Sequence, residues 1–272
     1  VPPVTVVIIT KNEAHNIVDC ILSAKKISNN IIVVDSGSTD ATVLLAQREQ
    51  VQVVSVPWKG YGYARNAGAG FASNDWIFSL DADERITDAL ARFILTMDRK
   101  DPTLVYGFRR LNHFRQKRFH YGEMAHDKVF RLYHKDHATW NAAPVHELLA
   151  GTRMKRQMIS STLLHFGIRT EQYYLQKKRR YAYLAALKYK NEQKRYSSIL
   201  RFVSPVFHFI KSYIFQLGFL DRRMGFTIAK INARYTHDKY EQLYRMIKEE
   251  QRLFDHTGFI HASLRKIASF LS

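Results

Sequence analysis

Four short apolar runs punctuate the first third of the chain: VTVVII at 4–9, IIVV at 31–34, VQVVSV at 51–56 and DWIFSL at 75–80. Side chains alternate between the two faces of a strand, so a run that is apolar on consecutive positions has no face to offer to water. Such strands belong to a parallel sheet covered by helices on both sides. The intervals fit, because 16–27 places Ile17, Cys20, Ile21, Ala24 and Ile27 at helical spacing and ATVLLAQREQ at 41–50 reads as a second helix. The fold class expected is therefore α/β.

Further along, 87–98 reads as a helix, and LVYGFRR at 104–110, VFRLY at 129–133 and TLLHF at 162–166 read as strands. From about residue 171 the chain turns to long helical stretches, so a boundary is placed between a unit at 1–168 and a helical one at 169–272. Charge divides at nearly the same place. Residues 1–150 hold 18 basic and 16 acidic side chains, whereas 151–272 hold 24 and 8, which puts almost all of the net +18 in the second half. A hydrophobic content of 46% supports a real core and excludes disorder as the main state. The single cysteine, Cys20, excludes an intrachain disulfide, and with no basic leader segment at 1–10 the expectation is a cytoplasmic protein. No uncharged apolar run reaches membrane-spanning length.

Three of the early runs end in polar loops: Thr10-Lys11-Asn12-Glu13, the DSGSTD stretch from Asp35 to Asp40, and Asp81-Ala82-Asp83-Glu84. Ligands of open α/β sheets bind at the carboxyl ends of the strands, so these loops should converge on one crevice. Two carboxylates two residues apart, Asp81 and Asp83, can offer oxygen to a hard divalent cation, although one of them could instead cap the helix that starts near Thr87. Asp35 suits a base or ribose, with folding of its own SGS turn as the plainer role; Asp40 suits a helix cap. The GYGYARNAG stretch lacks the third glycine of a dinucleotide fingerprint, which argues against a nicotinamide or flavin enzyme. Arg65 within it is either a phosphate contact or a solvated surface group.

The segments VTVVIITKNEAHNI, IIVVDSGSTD, GYGYARNAG and DWIFSLDADE, in this order, resemble the family-2 glycosyltransferases of the GT-A fold. The later stretches HYGEMAHDKVFRLYHKD, APVHELL, LLHFGIRT and GFLDRRMGFTIAKINARYTHDKY are similar to the subgroup that adds glucose to the inner core of lipopolysaccharide. One departure is Asp221-Arg222-Arg223, where relatives are expected to carry glycine after the aspartate. The resemblance implies a GT-A, Rossmann-like mixed sheet flanked by helices, with a C-terminal helical extension. It implies that Thr10, Glu13 and Asp35, with Asn12 and Arg65 nearby, serve the nucleotide, that Asp81 lies against ribose or sugar, and that Asp83 holds Mg²⁺ or Mn²⁺. His165 is a second candidate metal ligand, against the alternative of a hydrogen-bonded core histidine. Inverting transfer needs a carboxylate base on the acceptor side. Glu147, in Pro144-Val145-His146-Glu147, is the candidate, with His146 as a possible orienting partner; the alternatives are a cap or a structural ion pair with an arginine, and Asp127 competes for the role.

In the basic half, Lys177 to Arg180 are four consecutive cations among Tyr173, Tyr174, Tyr181, Tyr183 and Tyr189. Residues 198–220 read as one amphipathic helix with Arg201, His208 and Lys211 on one side and Phe202, Phe209, Tyr213 and Leu217 on an adjoining apolar side. Cations and aromatics so divided describe a helix lying in a membrane interface. Nucleic acid is a weaker fit, since no nucleic-acid motif is present. The expected activity is metal-dependent, inverting transfer of glucose from UDP-glucose to an inner-core heptose, by an enzyme peripheral to the inner face of the cytoplasmic membrane. Transfer to a polyprenyl phosphate, or non-enzymatic nucleotide or nucleic-acid binding, are the alternatives.

Overall fold

The computed structural model describes residues 3–114, 116–141, 143, 147–194 and 196–268, with side chains as far as 252. The first half alternates as β1 (Val4–Thr10), α1 (Ile17–Ala24), β2 (Ile31–Asp35), α2 (Thr42–Arg48), β3 (Gln52–Ser55), α3 (Tyr61–Gly70) and β4 (Trp76–Asp81). There follow β5 (Glu84–Ile86), α4 (Asp88–Thr96), β6 (Leu104–Phe114), β7 (Lys117–Arg118), a 3₁₀ turn at Glu123–His126, β8 (Lys128–His134), β9 (Thr139–Trp140), β10 (Leu149–Ala150) and β11 (Lys155–Ile168). Three long helices close the chain: α5 (Glu171–Asn191), α6 (Leu200–Ile210) and α7 (Arg222–Ala268).

A nine-stranded sheet runs in the order β3-β2-β1-β4-β8-β6-β11-β5, with β7 paired to β6 beside this path. The first four strands pair in parallel, and β8 runs antiparallel to both β4 and β6. The mixed sheet flanked by helices, with a helical extension, is the architecture expected from the GT-A resemblance. Both faces of β1, β2 and β4 are covered, as their apolar runs require, whereas β3, at the edge of the sheet and carrying Gln52 and Ser55, is half-exposed and corrects the expectation for 51–56. Along β1, Val4, Val6 and Ile8 pack with Ile17, Cys20 and Ile21 of α1 and with Leu90 and Ile94 of α4, while Val7 and Ile9 pack with Ala64 and Ala69 of α3 and with Trp140. The glycines of α3 permit close approach, since a Cβ on Gly68 would collide with Val7 and Val34 of the sheet.

Register then positions the chemistry. Thr10 pairs with Asp35, and Ile9 with Asp81, so the three acidic or polar strand ends lie side by side at one edge of the parallel section. Neither aspartate of the Asp81/Asp83 pair caps α4, because Thr87 does so by accepting from the Leu90 N–H at 3.2 Å. Both are left for other work.

The helical half differs from the single helix expected over 198–220. After Ile210 the helix widens into a π turn at Lys211–Phe215 and gives way to a 3₁₀ turn at Gly218–Asp221. The Gln216 carbonyl accepts from Gly122 N–H at 2.8 Å, and the Asp221 carboxylate accepts from the N–H groups of His120 and Tyr121 at 3.1 and 3.0 Å. These contacts turn the chain back, and Phe119 and Ile168 meet Tyr174, Ile228 and Ile231 in a core that joins α5 and α7 to the sheet.

Candidate active site

At the carboxyl end of β1 the loop is held to the loop after β2. Asn12 adopts a left-handed conformation (φ 57°), its N–H donates to Ser38 Oγ at 2.8 Å, and its side-chain oxygen accepts from Thr39 N–H at 2.7 Å. Asp35 is buried, and its carboxylate accepts from Gly37 and Ser38 N–H groups and the Ser38 hydroxyl, so it folds its own turn. The N-cap position of α2 falls on Ala41 and not on Asp40, whose carboxylate accepts from Thr42 N–H at 3.0 Å and Ala14 N–H at 3.2 Å and so ties the two loops. Thr10 is buried between them with its hydroxyl unpaired. Glu13 accepts from Arg169 Nη2 at 2.8 Å and Asn16 Nδ2 at 2.8 Å; burial and the nearby Asp83 charge push its carboxyl above its ordinary value.

Asp81, ending β4, is gripped by arginines from two other elements. Arg65 of α3 donates through Nη2 to Asp81 Oδ1 at 2.5 Å, and Arg131 of β8 donates to Oδ2 at 2.6 Å. Burial alone would raise the Asp81 carboxyl, but Arg131 and Arg65 outweigh it and hold the group well below the usual carboxylate range. Arg131 also meets the fully buried Glu84, which Arg110 joins at 3.1 Å. Arg65 continues outward, donating through Nη1 to Ser79 and through Nε to Glu147 Oε1 at 3.2 Å, with its guanidinium over the Trp140 ring. One buried cation thus fixes Asp81 and Glu147 relative to each other.

Asp83 faces a different set of partners. Its Oδ2 lies 3.3 Å from His165 Nε2 and 3.7 Å from Lys177 Nζ of α5. Burial opposes its charge, and His165 and Lys177 more than offset that and hold the carboxyl far below its ordinary value. The ring of His165 is oriented from behind. Asn112 Nδ2 donates to the Met124 carbonyl at 2.7 Å and to Asp127 Oδ2 at 3.1 Å, which turns Asn112 Oδ1 toward His165 Nδ1. An oxygen only accepts, so Nδ1 carries the hydrogen toward Asn112, and Nε2 is the atom that pairs with Asp83 Oδ2. Gly167 keeps this corner open, because a Cβ there would stand 2.5 Å from His165 Nε2 and 3.0 Å from Asp83 Oδ2.

A carboxylate oxygen and an imidazole nitrogen converging on a space that a side chain would fill suit Mn²⁺, and also Mg²⁺ when it keeps oxygen ligands from elsewhere. Among the described residues no three His, Cys, Asp or Glu side chains form a complete metal cage.

The structure thus gathers Thr10, Asn12, Glu13, Asp35, Asp81, Asp83, His165 and Glu147 around the strand ends. Arg65 is neither a surface group nor free: it is 2% exposed and spent on protein partners. Asp127 is held by Arg110 Nη2 at 2.6 Å and by Asn112, behind His165. Pro144, Val145 and His146 lie outside the described residues. Sequence reading passed over Arg131, Arg110, Asn112 and Lys177. An arginine in the middle of the apolar VFRLY strand was a usable signal for the first; Lys177 was masked by the run of cations around it. Tyr61 of α3 and Tyr181 of α5 meet hydroxyl to hydroxyl at 2.6 Å, so the helical half forms one wall of the site.

The family model described as Glycosyl transferase family 2 matches residues 5–164. An uncharacterized glycosyltransferase of Rickettsia bellii is 37% identical over 140 residues, 49% of this chain and 46% of that protein. The lipopolysaccharide core biosynthesis glycosyltransferase LpsC of Rhizobium meliloti is 34% identical over 97 residues, covering 34% of this chain and 36% of its own. These matches span half or less of each relative's length. A crystal structure of glucosyl-3-phosphoglycerate synthase from Mycobacterium tuberculosis, with Mn²⁺, UDP and glucosyl-3-phosphoglycerate, aligns at 25% identity. That alignment covers 41% of this chain and 44% of the synthase with a TM-score of 0.33, too little overlap to argue from.

Proposed function

Because this chain belongs to glycosyl transferase family 2, we propose that it transfers glucose from UDP-glucose, with inversion, to a heptose of the lipopolysaccharide inner core. The observation that supports this reading is the Asp81–Arg65–Glu147 chain, an ion pair through which the strand end this reading gives to the donor is tied to the carboxylate it gives to the acceptor. The glycolipid acceptor is supported by the sequence resemblance and by the printed role of the Rhizobium relative in lipopolysaccharide core biosynthesis. The choice of UDP-glucose rests on the sequence resemblance.

In this reading the β1 and β2 loops take the nucleoside, with Thr10 buried beneath them. Asp83 and His165 would hold the divalent cation, which when bound neutralises charge on the diphosphate and favours its departure. Lys177 adds a fixed positive charge beside the same carboxylate; burial opposes that charge, but Asp83 raises the lysine's affinity for its proton. Asp127 and Asn112 are positioning residues that hold the His165 ring. Glu147 takes the proton of the acceptor hydroxyl as that oxygen bonds to the anomeric carbon and the bond from carbon to UDP oxygen breaks. Arg65 keeps Glu147 oriented for this.

A screen of UDP-sugars with Mn²⁺ or Mg²⁺ and a heptose-containing core acceptor tests the proposal. The expected result is release of UDP and a product whose anomeric configuration, read by NMR, is opposite to the donor's. Absence of turnover with every UDP-sugar would overturn it.

A further inference from the structure

The outer side of the α6 region carries an apolar surface that no described side chain of the sheet or the other helices covers. Ile199, Phe202, Val203, Val206 and Phe207 are all exposed and recur at helical spacing, and Ile214, Phe215, Leu217, Phe219 and Leu220 extend the same exposure through the π and 3₁₀ turns. Phe207 is 63% exposed and Phe215 73%, and their place in one contiguous apolar stripe sets them apart from singly exposed residues such as Phe71 and Leu95. The faces are not those read from the sequence. Arg201 turns inward to Glu241 of α7 at 3.2 Å, His208 reaches Glu123 at 3.4 Å, and Phe209 and Tyr213 pack on Phe226. What remains outside is the aliphatic and phenylalanine stripe.

Charge identifies what fits this surface. Between 196 and 220 the chain contains no Asp or Glu, and Lys211, Arg222 and Arg223 are exposed around the stripe. Arg222 keeps its place there in a backbone conformation (φ 55°, ψ −137°) that favours glycine, so an exposed cation is maintained against local strain. An apolar stripe with a cationic border, whose one acid Asp221 is engaged by the N–H groups of His120 and Tyr121, matches the acyl and headgroup boundary of an anionic bilayer. α6 has 11 residues, and no helix among the described residues is long and apolar enough to cross a membrane, so the contact lies in the interface plane.

We propose that α6 and the following turns dock this protein on an anionic lipid surface, with Phe207 and Phe215 inserted among the headgroups and Lys211, Arg222 and Arg223 against the lipid phosphates. The proposal stands on this surface alone and does not depend on the transferase reading.

Flotation of the full chain with vesicles of phosphatidylglycerol and phosphatidylethanolamine tests it, alongside vesicles of phosphatidylcholine. Wild type should float with the anionic vesicles and at least tenfold less with phosphatidylcholine. The Phe207→Asp/Phe215→Asp double variant should lose at least tenfold in binding, while Leu95→Asp, at an exposed site on α4, should bind as wild type. Far-UV circular dichroism and thermal unfolding, measured in parallel, should be the same in all three proteins, showing that the variants are folded. Retained flotation of the double variant would overturn the proposal. So would a wild-type dimer in solution that the double variant dissociates, since a second copy would then be the occupant of the stripe.

Discussion

Arg65 Nε donates to Glu147 Oε1 across 3.2 Å, joining residues 82 positions apart, while the same guanidinium holds Asp81 at 2.5 Å. The arginine is almost fully buried, so its removal leaves two acids without their shared cation. Breaking a buried pair in this way costs about 3 kcal/mol. Arg65→Met is expected to lose about that much in urea unfolding, and a loss under about 1 kcal/mol would show that the network does not hold the site together.

Asp83 and Lys177 should separate in their effects on UDP binding by calorimetry. Asp83→Asn is expected to remove at least tenfold of any gain in UDP affinity that Mn²⁺ gives. Lys177→Met should weaken UDP binding several-fold whether or not Mn²⁺ is added, because its charge acts independently of the metal. Unchanged affinities in both variants would place the diphosphate elsewhere.

The Asp127–Arg110 pair gives a pH signature. Burial raises the Asp127 carboxyl, but Arg110 and the Asn112 amide outweigh it, and the folded value lies below the ordinary 3.8. A depressed folded value means that the pair's stabilisation is present above 3.8 and is lost as the pH falls through the folded value. Asp127→Asn should therefore unfold more easily than wild type near neutral pH, by about 2 kcal/mol, with the gap closing below 3.8. A gap that stays constant down to acid pH would contradict the assignment.

Arg222 occupies the position where relatives are expected to carry glycine, and its φ of 55° with ψ of −137° explains why glycine suits it. Relief of that strain exceeds the added chain entropy of glycine, so Arg222→Gly is expected to stabilise by about 1 kcal/mol. Thermal unfolding of the variant tests this; a lower Tm would mean that the arginine side chain contributes more than its backbone costs.

The sheet was legible because the rule it follows is local. VTVVII and IIVV have no polar face, and the strand ends they announce, at Thr10, Asp35 and Asp81, do lie in register. What escaped the sequence was partnership. Nothing near Arg65 says that it will be buried between two acids, because Ser79, Asp81 and Glu147 reach it only through the crossing of α3 over the sheet. Lys177 looks like its neighbours in a run of cations, and only the packing of α5 beside the strand ends aims it at Asp83. The 198–220 segment shows the same limit: spacing found an amphipathic helix, but the tertiary contacts of Arg201, His208 and Phe209 decided which side faces out.

In the proposed transfer Glu147 activates the acceptor while the Asp83 side of the site holds the donor. Glu147→Gln preserves size and can still accept a hydrogen bond from Arg65, so it isolates the proton-accepting role. Transfer of sugar to the core acceptor and binding of UDP-sugar should be measured on the same preparation. Donor affinity should stay within about twofold of wild type and transfer should fall by roughly 10²–10⁴-fold; transfer at the wild-type rate would rule Glu147 out as the base.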